Sequence, residues 1–263
     1  SGGFSQAAGT FNGGSADMTV SGPFVLTGGN FNSTTGTLSV NDGPFTVSGG
    51  AFNANNGSVK FQAGVGCSPT FPFVVTGTVE FCNLTYTSTP GQSPSCGFTF
   101  VTVDTITVNC RFSNAGGSTI YYNGGQINIK GDLCTQHLGG QLDNIGSTLF
   151  RVNGTGTQTL CGIACGTGVY PVGIGKIPNL IIDKAPTDTI LVTGMFTTSG
   201  NYQYRGGVFK TSNEGILCFQ GINGAYTSIN GPAHTIPHVG FVGGFINFNT
   251  TLTSTGIAVW ARA

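Results

Sequence analysis

The chain has 263 residues, of which 45 are glycine, only 7% are charged and 38% are hydrophobic, and its formal net charge is zero. No basic surface is available to follow a phosphate backbone, so we expect no nucleic-acid partner. No apolar run reaches the about 20 residues that a membrane helix needs, so we expect no membrane insertion. Long exposed helices are disfavoured as well, because each glycine costs about 1 kcal/mol relative to alanine. The composition predicts an all-β fold whose polar surface comes from Ser, Thr and Asn.

The N-terminal part of the chain, residues 1–64, is nearly periodic. After a strand-like lead-in over residues 1–8, phenylalanine recurs at Phe11, Phe31 and Phe52, each time followed by asparagine. The interval is 20 to 21 residues, which is typical of a solenoid. Within each unit, apolar and polar residues alternate as in a half-buried strand, and glycine-rich segments separate the strands.

Stacking explains why such a repeat folds. One coil cannot bury its apolar side alone, but coils stacked about 4.8 Å apart pair their backbones with the coils above and below. Equivalent Phe and Val residues then form inner ladders, and equivalent Asn residues form ladders in the turns. We therefore predict a parallel β-solenoid with coils of about 20 residues. An antiparallel β-sandwich is the alternative, because evenly spaced short strands fit that architecture too.

Residues 65–263 continue the strand-like pattern less regularly. No segment longer than about ten residues shows the 3.6-residue period of an amphipathic helix, and no linker interrupts the chain. We therefore distinguish regular β-solenoid repeats over residues 1–64 from a cysteine-containing β-solenoid continuation over residues 65–263, within one continuous domain.

Eight cysteines mark this second part, and all of them are disulfide candidates: Cys67, Cys82, Cys96, Cys110, Cys134, Cys161, Cys165 and Cys218. An even number favours disulfides and an oxidising compartment. The first four are spaced by 14 or 15 residues, and we predict that they pair among themselves and staple the middle of the molecule. Structural zinc is the competing interpretation; it is disfavoured because its ligands normally come in close pairs such as CxxC, and none occurs.

The later segments also carry a family resemblance. INIKGDL (127–133), FRVNGTGTQTL (150–160), the stretch 177–207 and GFINFNTTLTSTG (244–256) resemble the Gly/Asn/Thr-rich repeats of very large bacterial cell-surface and extracellular proteins. The GxFN pattern of the first 64 residues is similar to shorter coils of the same adhesin-like β-solenoids. The resemblance implies a right-handed parallel β-helix. The cysteines depart from it, because such repeats usually lack them.

The acidic residues are dispersed, unlike those of the lyases and hydrolases that share this architecture. Such enzymes use clustered carboxylates as acid–base pairs or as calcium ligands. Asp17 with Asp42, and Glu80 with Asp104, are spaced by roughly one coil and could stack. Solvated turn carboxylates are the favoured interpretation. We expect no catalytic residue and predict that the chain is not an enzyme.

The histidines do not predict a metal site. His234 and His238 have the spacing of a helical metal pair, but Pro237 and the surrounding strands make a helix improbable. No GxSxG motif is present, and no glycine-rich loop opens a helix as nucleotide binding requires. We therefore predict no metal and no cofactor.

Both termini are strand-like, apolar and almost uncharged, and a solitary solenoid normally blocks such edges with a cap. The sequence starts at Ser1 with no Met and no basic-plus-apolar leader, which fits a mature secreted form, although a cloned fragment would look the same. Our leading hypothesis is a secreted structural subunit, at the cell surface or beyond it, that binds copies of itself head to tail. Uncapped β edges or terminal strand exchange would then build a filament or sheath. The assembly candidates are Phe4, Phe11, Phe31, Phe52, Ile257, Val259 and Trp260.

Two other functions are the alternatives. A cell-surface adhesin or carbohydrate-binding module would bind surface glycans through aromatic side chains, and a polysaccharide lyase or hydrolase is the weaker alternative. For the aromatic residues, ordinary strand side chains are the favoured interpretation. The residues concerned are Tyr121, Tyr122, Tyr202, Tyr204 and Trp260.

Overall fold

The computed structural model describes residues 2–64, 71–88, 97–100, 104–116, 119–137, 146–162, 176–212, 215–221 and 226–260. All regular elements in these ranges are β-strands, and neighbouring strands pair in parallel. Coils of about 22 residues stack into a β-solenoid. The predicted all-β solenoid is confirmed, with coils slightly longer than expected. The antiparallel sandwich is wrong, because its strands would pair in the opposite sense.

Each complete coil contributes a strand to each of three faces, which we number in the order in which the chain visits them. Face 1 contains β1 (Phe4–Gln6), β4 (Phe24–Leu26), β7 (Phe45–Val47), β10 (Phe71–Val75), β12 (Gly97–Phe100), β14 (Thr119–Tyr122), β19 (Lys176–Ile177), β22 (Met195–Thr198), β25 (Ile216–Gln220), β28 (His238–Val242) and β31 (Gly256–Trp260). Its strands form two ladders, from β1 to β14 and from β19 to β31.

Faces 2 and 3 are joined by two long strands, β11 (Thr78–Ser88) and β13 (Thr105–Gly116), which contribute to both. Face 2 otherwise contains β2 (Thr10–Asn12), β5 (Asn30–Asn32), β8 (Ala51–Asn53), β15 (Gln126–Ile129), β17 (Leu149–Val152), β20 (Asn179–Asp183), β23 (Tyr202–Gly206), β26 (Tyr226–Asn230) and β29 (Phe245–Phe248). Face 3 contains β3 (Met18–Ser21), β6 (Thr37–Asn41), β9 (Ser58–Ala63), β16 (Asp132–His137), β18 (Thr157–Cys161), β21 (Thr189–Thr193), β24 (Val208–Thr211), β27 (His234–Thr235) and β30 (Leu252–Thr253).

The core consists of side chains that point into the coil and stack on their equivalents. On face 1, Phe4, Phe24 and Phe45 stack at ring-centroid distances of 5.0 and 4.9 Å. On face 2, Phe11 and Phe31 stack at 5.0 Å with their planes 4° apart. Burial of such rings removes a large apolar area from water, and offset stacking adds a specific contribution. These are the inner ladders that the repeat predicts.

Asparagine forms a second ladder on the outside of face 2. The Asn32 amide donates from Nδ2 to Asn12 Oδ1 at 2.8 Å, and Asn53 donates in the same way to Asn32 Oδ1 at 3.3 Å. Just before this strand the coils approach closely: a Cβ atom on Gly29, whose φ is +78°, would lie 2.4 Å from the Gly9 carbonyl oxygen. Glycine is therefore required at this turn.

In the described part of the chain, two disulfides join neighbouring coils. Cys82 on β11 bonds to Cys110 on β13, with a Cα–Cα distance of 4.7 Å, and Cys134 on β16 bonds to Cys161 on β18 at 4.4 Å. Pairing within the first four cysteines is confirmed for Cys82 and Cys110. Cys218 is buried on β25. The remaining candidates, Cys67, Cys96 and Cys165, lie outside the described residues.

Candidate assembly edges and polar clusters

The first described coil presents an open edge, which we call the β1 edge. Within the described residues, β1, β2 and β3 pair only with β4, β5 and β6, so one side of each strand carries no other strand. The inward side chains Phe4, Phe11 and Met18 pack against the core but are only partly buried. An apolar surface with unpaired backbone groups is suited to binding another strand layer.

The opposite edge, which we call the β31 edge, consists of β29, β30 and β31. In the described chain these strands pair only with β26, β27 and β28. Phe248 on β29 is 52% exposed although it lies in register with the fully buried Ile229. It is exposed because no described strand covers it along the solenoid axis.

The outermost face 2 strands, β2 and β29, take part in the same local construction at both ends, although Phe241 itself lies on β28 beneath β31. Phe4 and Phe11 meet at 5.3 Å with their planes 69° apart, and Phe241 and Phe248 meet at 5.4 Å and 70°. In each case a face 1 ring contacts a face 2 ring seven residues further along, and an asparagine follows the second ring. The coils inside the β1 edge repeat this F-x6-F-N arrangement at residues 24–32 and 45–53.

The asparagine ladder also has the same direction at both edges. Asn249 donates from Nδ2 to Asn230 Oδ1 at 2.9 Å, so each amide donates toward the preceding coil, as in the N-terminal ladder. Within the described residues, Asn12 Nδ2 and Asn249 Oδ1 have no hydrogen-bond partner. One edge therefore offers a donor and the other an acceptor.

The predicted assembly residues fall into three groups. Phe4 and Phe11 lie at the β1 edge. Phe31 and Phe52 lie one and two coils further in and are buried, so they support the edge instead of forming it. Ile257, Val259 and Trp260 lie on β31, whose backbone pairs in register with β28. Phe241, Phe248 and Asn249 were missed, although the repeated F-x6-F-N spacing could have identified them.

Several carboxylates, including the Asp17 and Asp42 pair considered for catalysis, hold neighbouring coils together. Asp17, Asp42 and Asp132 each accept a hydrogen bond from a backbone N–H of the next coil, which is a charge-assisted bond. The donors are Thr37, Gly64 and Thr159, at 2.7, 2.5 and 2.8 Å. Turn carboxylates were expected here, and they also have a definite structural role.

Glu80 and Asp104 are likewise engaged separately. Glu80 Oε2 accepts a hydrogen bond from the Asn109 side chain at 3.2 Å, whereas Asp104 Oδ2 accepts one from the Gly77 backbone at 2.8 Å. Spacing by one coil thus gives each carboxylate its own donor. We find no geometry in these pairs that resembles an acid–base dyad.

A charged cluster lies on the outer side of face 2. Asp183 Oδ2 accepts a hydrogen bond from Arg151 Nε at 2.7 Å, and it forms an ion pair with Nη2 of the same guanidinium. Arg205 Nη1 lies 3.6 Å from the same oxygen, and its other guanidinium nitrogen donates to Gln203 at 3.3 Å. Two arginines share one carboxylate across three coils, so the cluster carries a net positive charge.

A buried polar network occupies the turn between faces 2 and 3. Lys184 donates from Nζ to the Gly154 carbonyl at 2.5 Å and to Gln158 Oε1 at 2.7 Å. The Gln158 amide nitrogen donates in turn to the carbonyls of Ile129 and Gly131, at 3.0 and 2.6 Å. The network links three coils through side chains and satisfies buried backbone carbonyls of two of them.

Burial lowers the pKa of the Lys184 ammonium, and the nearby Asp188 carboxylate opposes this shift. The Asp188 carboxylate itself accepts the backbone N–H of Gly156 at 2.8 Å. Lys184 therefore has neutral oxygens as its direct partners, and its charge is balanced only at longer range.

A second buried cluster surrounds His234. Its Nδ1 lies 2.9 Å from the Pro232 carbonyl oxygen, which only accepts, so Nδ1 carries the proton and Nε2 accepts from the Tyr202 hydroxyl at 3.3 Å. The Tyr204 ring stacks on the imidazole at 4.1 Å. Burial lowers the pKa of His234, opposed by the bond to Pro232, and it raises the pKa of Tyr202. His238 instead contacts Thr211, so the two histidines have different partners.

The aromatic residues considered for sugar stacking do not form one surface. Tyr122 and Tyr202 are buried in the core, which removes them from any glycan site. Tyr121 and Tyr204 are half-buried, and the Trp260 side chain lies outside the described part of the structure. Among the described residues, no group of three or more His, Cys, Asp or Glu side chains is placed to hold a metal ion. The same ranges contain no helix long and apolar enough to cross a membrane.

No protein-family model, curated protein or solved structure matches the chain.

Proposed function

We propose that this chain is an extracellular structural subunit that binds copies of itself head to tail and forms a filament or sheath. The observation that carries the proposal is the equivalence of the two edges. At each edge the outermost face 2 ring, Phe11 on β2 or Phe248 on β29, meets a face 1 ring edge to face and is followed by an exposed asparagine. Because the same construction already stacks on itself inside the N-terminal coils, two copies can continue it without a new kind of contact.

Backbone pairing would supply most of the contact between subunits. A junction buries partly exposed rings such as Phe11 and Phe248 and pairs the open strand edges in parallel, as within the chain. A heterologous contact of this kind does not close on itself, so it propagates. The assembly would be a rod in which coils of successive subunits follow one another.

Two further observations support a location outside the cell or on its surface. The disulfides Cys82–Cys110 and Cys134–Cys161 favour an oxidising environment. The resemblance of the later segments to bacterial cell-surface β-solenoid repeats points to the same place. The low charge offers few lysines and arginines to proteases, which suits a durable extracellular structure.

Negative-stain electron microscopy of the purified chain tests this proposal. We expect rods that lengthen as the protein concentration rises, and sedimentation that shifts in the same range. A population that stays monomeric at millimolar concentration would refute self-assembly.

A matched pair of variants connects the rods to the edge. Phe248→Asp places a charge on the axial surface of β29 and should abolish elongation. Phe245→Asp changes an equally exposed ring of the same strand, at 58% exposure, that lies outside the F-x6-F-N arrangement, and it should leave elongation intact. Equal loss in both variants, or in neither, contradicts the role of this edge.

Adhesion to glycans is the second candidate. The outer side of face 2 carries Arg151, Asp183, Gln203 and Arg205 in one contiguous cluster, and such groups can hydrogen-bond sugar hydroxyls or anionic sugars. Binding of monomers to a glycan array, lost in Arg205→Ala, would support this function. Absence of binding by monomers and rods alike would exclude it.

A further inference from the structure

The order of strands at the two edges restricts how copies can join. The chain visits faces 1, 2 and 3 in turn, so the β1 edge is formed by β1, β2 and β3, in that order. At the β31 edge the outermost strands are β29 on face 2, β30 on face 3 and β31 on face 1. At the β31 edge, face 1 therefore carries one more strand, β31, beyond the last coil that is complete on all three faces.

Matching of the edges fixes a register between copies. When β2 of a second copy stacks on β29, Phe11 lies on Phe248 and Asn12 lies on Asn249. The free Nδ2 of Asn12 then meets the free Oδ1 of Asn249, with the direction that every amide of the two ladders follows. A head-to-head contact would bring two donors or two acceptors together, so only head-to-tail stacking continues the ladder.

This register creates a conflict on face 1. With β2 of the second copy on β29, β1 of the second copy would have to stack on β28 of the first copy. That place is taken, because β31 of the first copy already pairs with β28 over five positions. Only one of the two strands can occupy that place. The other edge of β31 is open in the described chain and would then face β4 of the second copy.

The two competing strands differ in strength. β1 has three residues, and its pairing with β4 is extended by hydrogen bonds of 2.7 and 2.9 Å at Phe4 and Gln6. It is flanked by Gly2-Gly3 and Ala7-Ala8-Gly9, segments that can swing away at low cost. β31 has five residues, Gly-Ile-Ala-Val-Trp, with the β-branched and aromatic composition that favours strands.

We propose that β31 of one copy replaces β1 of the next copy beside β4, so that the subunits are joined by strand exchange. This inference rests on the proposed self-assembly and specifies its junction. Val259, in register with Phe241, takes the position that Phe4 holds beside Phe24 in a free subunit. The released residues 1–8 leave the core of the rod.

Cross-linking between two variants tests the register. Asn12→Cys and Asn249→Cys, each prepared separately, should give a covalent dimer only when they are mixed and oxidised. Asn32→Cys, one coil inside, serves as the matched control and should give none with Asn249→Cys. A cross-link between Ser5→Cys and Asn247→Cys instead would place β1 on face 2 and would overturn the proposal.

Removal of residues 1–8 tests the exchange itself. The truncation removes β1, which competes with β31 for the edge of β4. Elongation should accelerate by about tenfold or more, because β1 no longer has to leave β4 before β31 of another copy can pair there. Slower elongation of the truncated chain, with normal rods from the intact chain, refutes strand exchange while leaving self-assembly standing. Absence of rods from both chains refutes self-assembly, and the cross-link then has no basis.

Discussion

The first three coils and the coils between β16 and β24 have the same architecture but use different contacts between layers. In the first region, residues 4–63, like stacks on like: Phe on Phe and Asn on Asn, at intervals of 20 and 21 residues. In the second region the bonded partners are different residues, separated by 26 to 32 positions. They include the Gln158–Lys184 bond and the Arg151–Asp183 pair.

This difference suits the two regions to different structural roles. Identical ladders need no specific partner, so a regular coil can accept any layer of the same construction, including one from another copy. Unlike pairs fix one register and exclude others, because a shifted layer would leave a buried group such as Lys184 without a partner. The regular region is suited to contacts between subunits, and the irregular region fixes the register within the chain.

The largest expected effect is in the aromatic ladder. Phe31 is fully buried between Phe11 and Phe52, so Phe31→Ala should cost about 3–5 kcal/mol through lost burial and a cavity. Phe245→Ala, at an exposed position, is the control and should change the stability by about 0.5 kcal/mol or less. Denaturant unfolding followed by circular dichroism measures both, and a small effect at Phe31 would show that the ladder does not carry the core.

Reduction of the disulfides should separate the two regions. Cys82–Cys110 and Cys134–Cys161 close loops with sequence separations of 28 and 27, and each is expected to contribute roughly 3–4 kcal/mol through the entropy of the unfolded chain. Hydrogen exchange after reduction should accelerate in residues 78–161 and stay slow in residues 24–47, because solenoid coils open locally. Uniform acceleration would mean that the regions unfold as one unit.

Gln158→Leu should lower the stability of the irregular region. The substitution keeps the approximate volume but removes one of the two hydrogen bonds of Lys184 and takes the Gln158 donor away from two backbone carbonyls, with an expected cost of about 2–3 kcal/mol. Gln203→Leu, on the outer side of face 2, is the control and should stay within about 0.5 kcal/mol. Thermal unfolding measures the pair, and equal effects would contradict the importance of the buried network.

Asn32→Ala tests the asparagine ladder, with a smaller effect. It removes one hydrogen bond on each side, at 2.8 and 3.3 Å, at a partly exposed site, so about 1 kcal/mol is expected. Asn30→Ala, at an exposed position of the same strand, is the control and should have no comparable effect. If rods form from Asn32→Ala as readily as from the parent chain while Asn12→Ala slows them, the edge amide is specifically involved.

The smallest effect concerns pH. Burial lowers the pKa of His234, so the unfolded chain takes up a proton at a higher pH than the folded chain does. Stability should therefore decline as the pH falls below about 6.5, the ordinary value for histidine, and should level off below the folded pKa. His234→Gln should reduce this decline, and an unchanged pH profile would rule out His234 as its source.

The sequence predicts the regular region well because its information is local. Alternation and the Phe-Asn recurrence are enough to predict parallel coils, inner phenylalanine ladders and an asparagine ladder. The repeat at residues 241–249 is less recognisable in the sequence, because its Gly-Gly pair is shifted and Phe245 interrupts the pattern. At the β31 edge the sequence thus points to β31 through Ile257, Val259 and Trp260 but not to the Phe241–Phe248 pair.

The irregular region could not be predicted to the same depth. Lys184 lies in an Asp-Lys-Ala-Pro segment that is typical of an exposed turn, and only the three-dimensional stacking buries it against Gln158. Disulfide pairing could be assigned only to a group of four, because Cys82 and Cys110 lie 28 residues apart on a coil that is longer than the average of about 22 residues. Such partners depend on coil lengths that the sequence does not display.

The coil arrangement also determines how a rod of this chain responds to tension. Its backbone hydrogen bonds point along the rod axis, so a pulling force opens one layer at a time instead of shearing many bonds together. Each opened coil of about 22 residues would release roughly 70 Å of extended chain. A disulfide such as Cys82–Cys110 blocks that release for the 28 positions it spans. The rod is therefore expected to lengthen in steps and dissipate energy through its regular coils, while the cross-linked middle keeps its length.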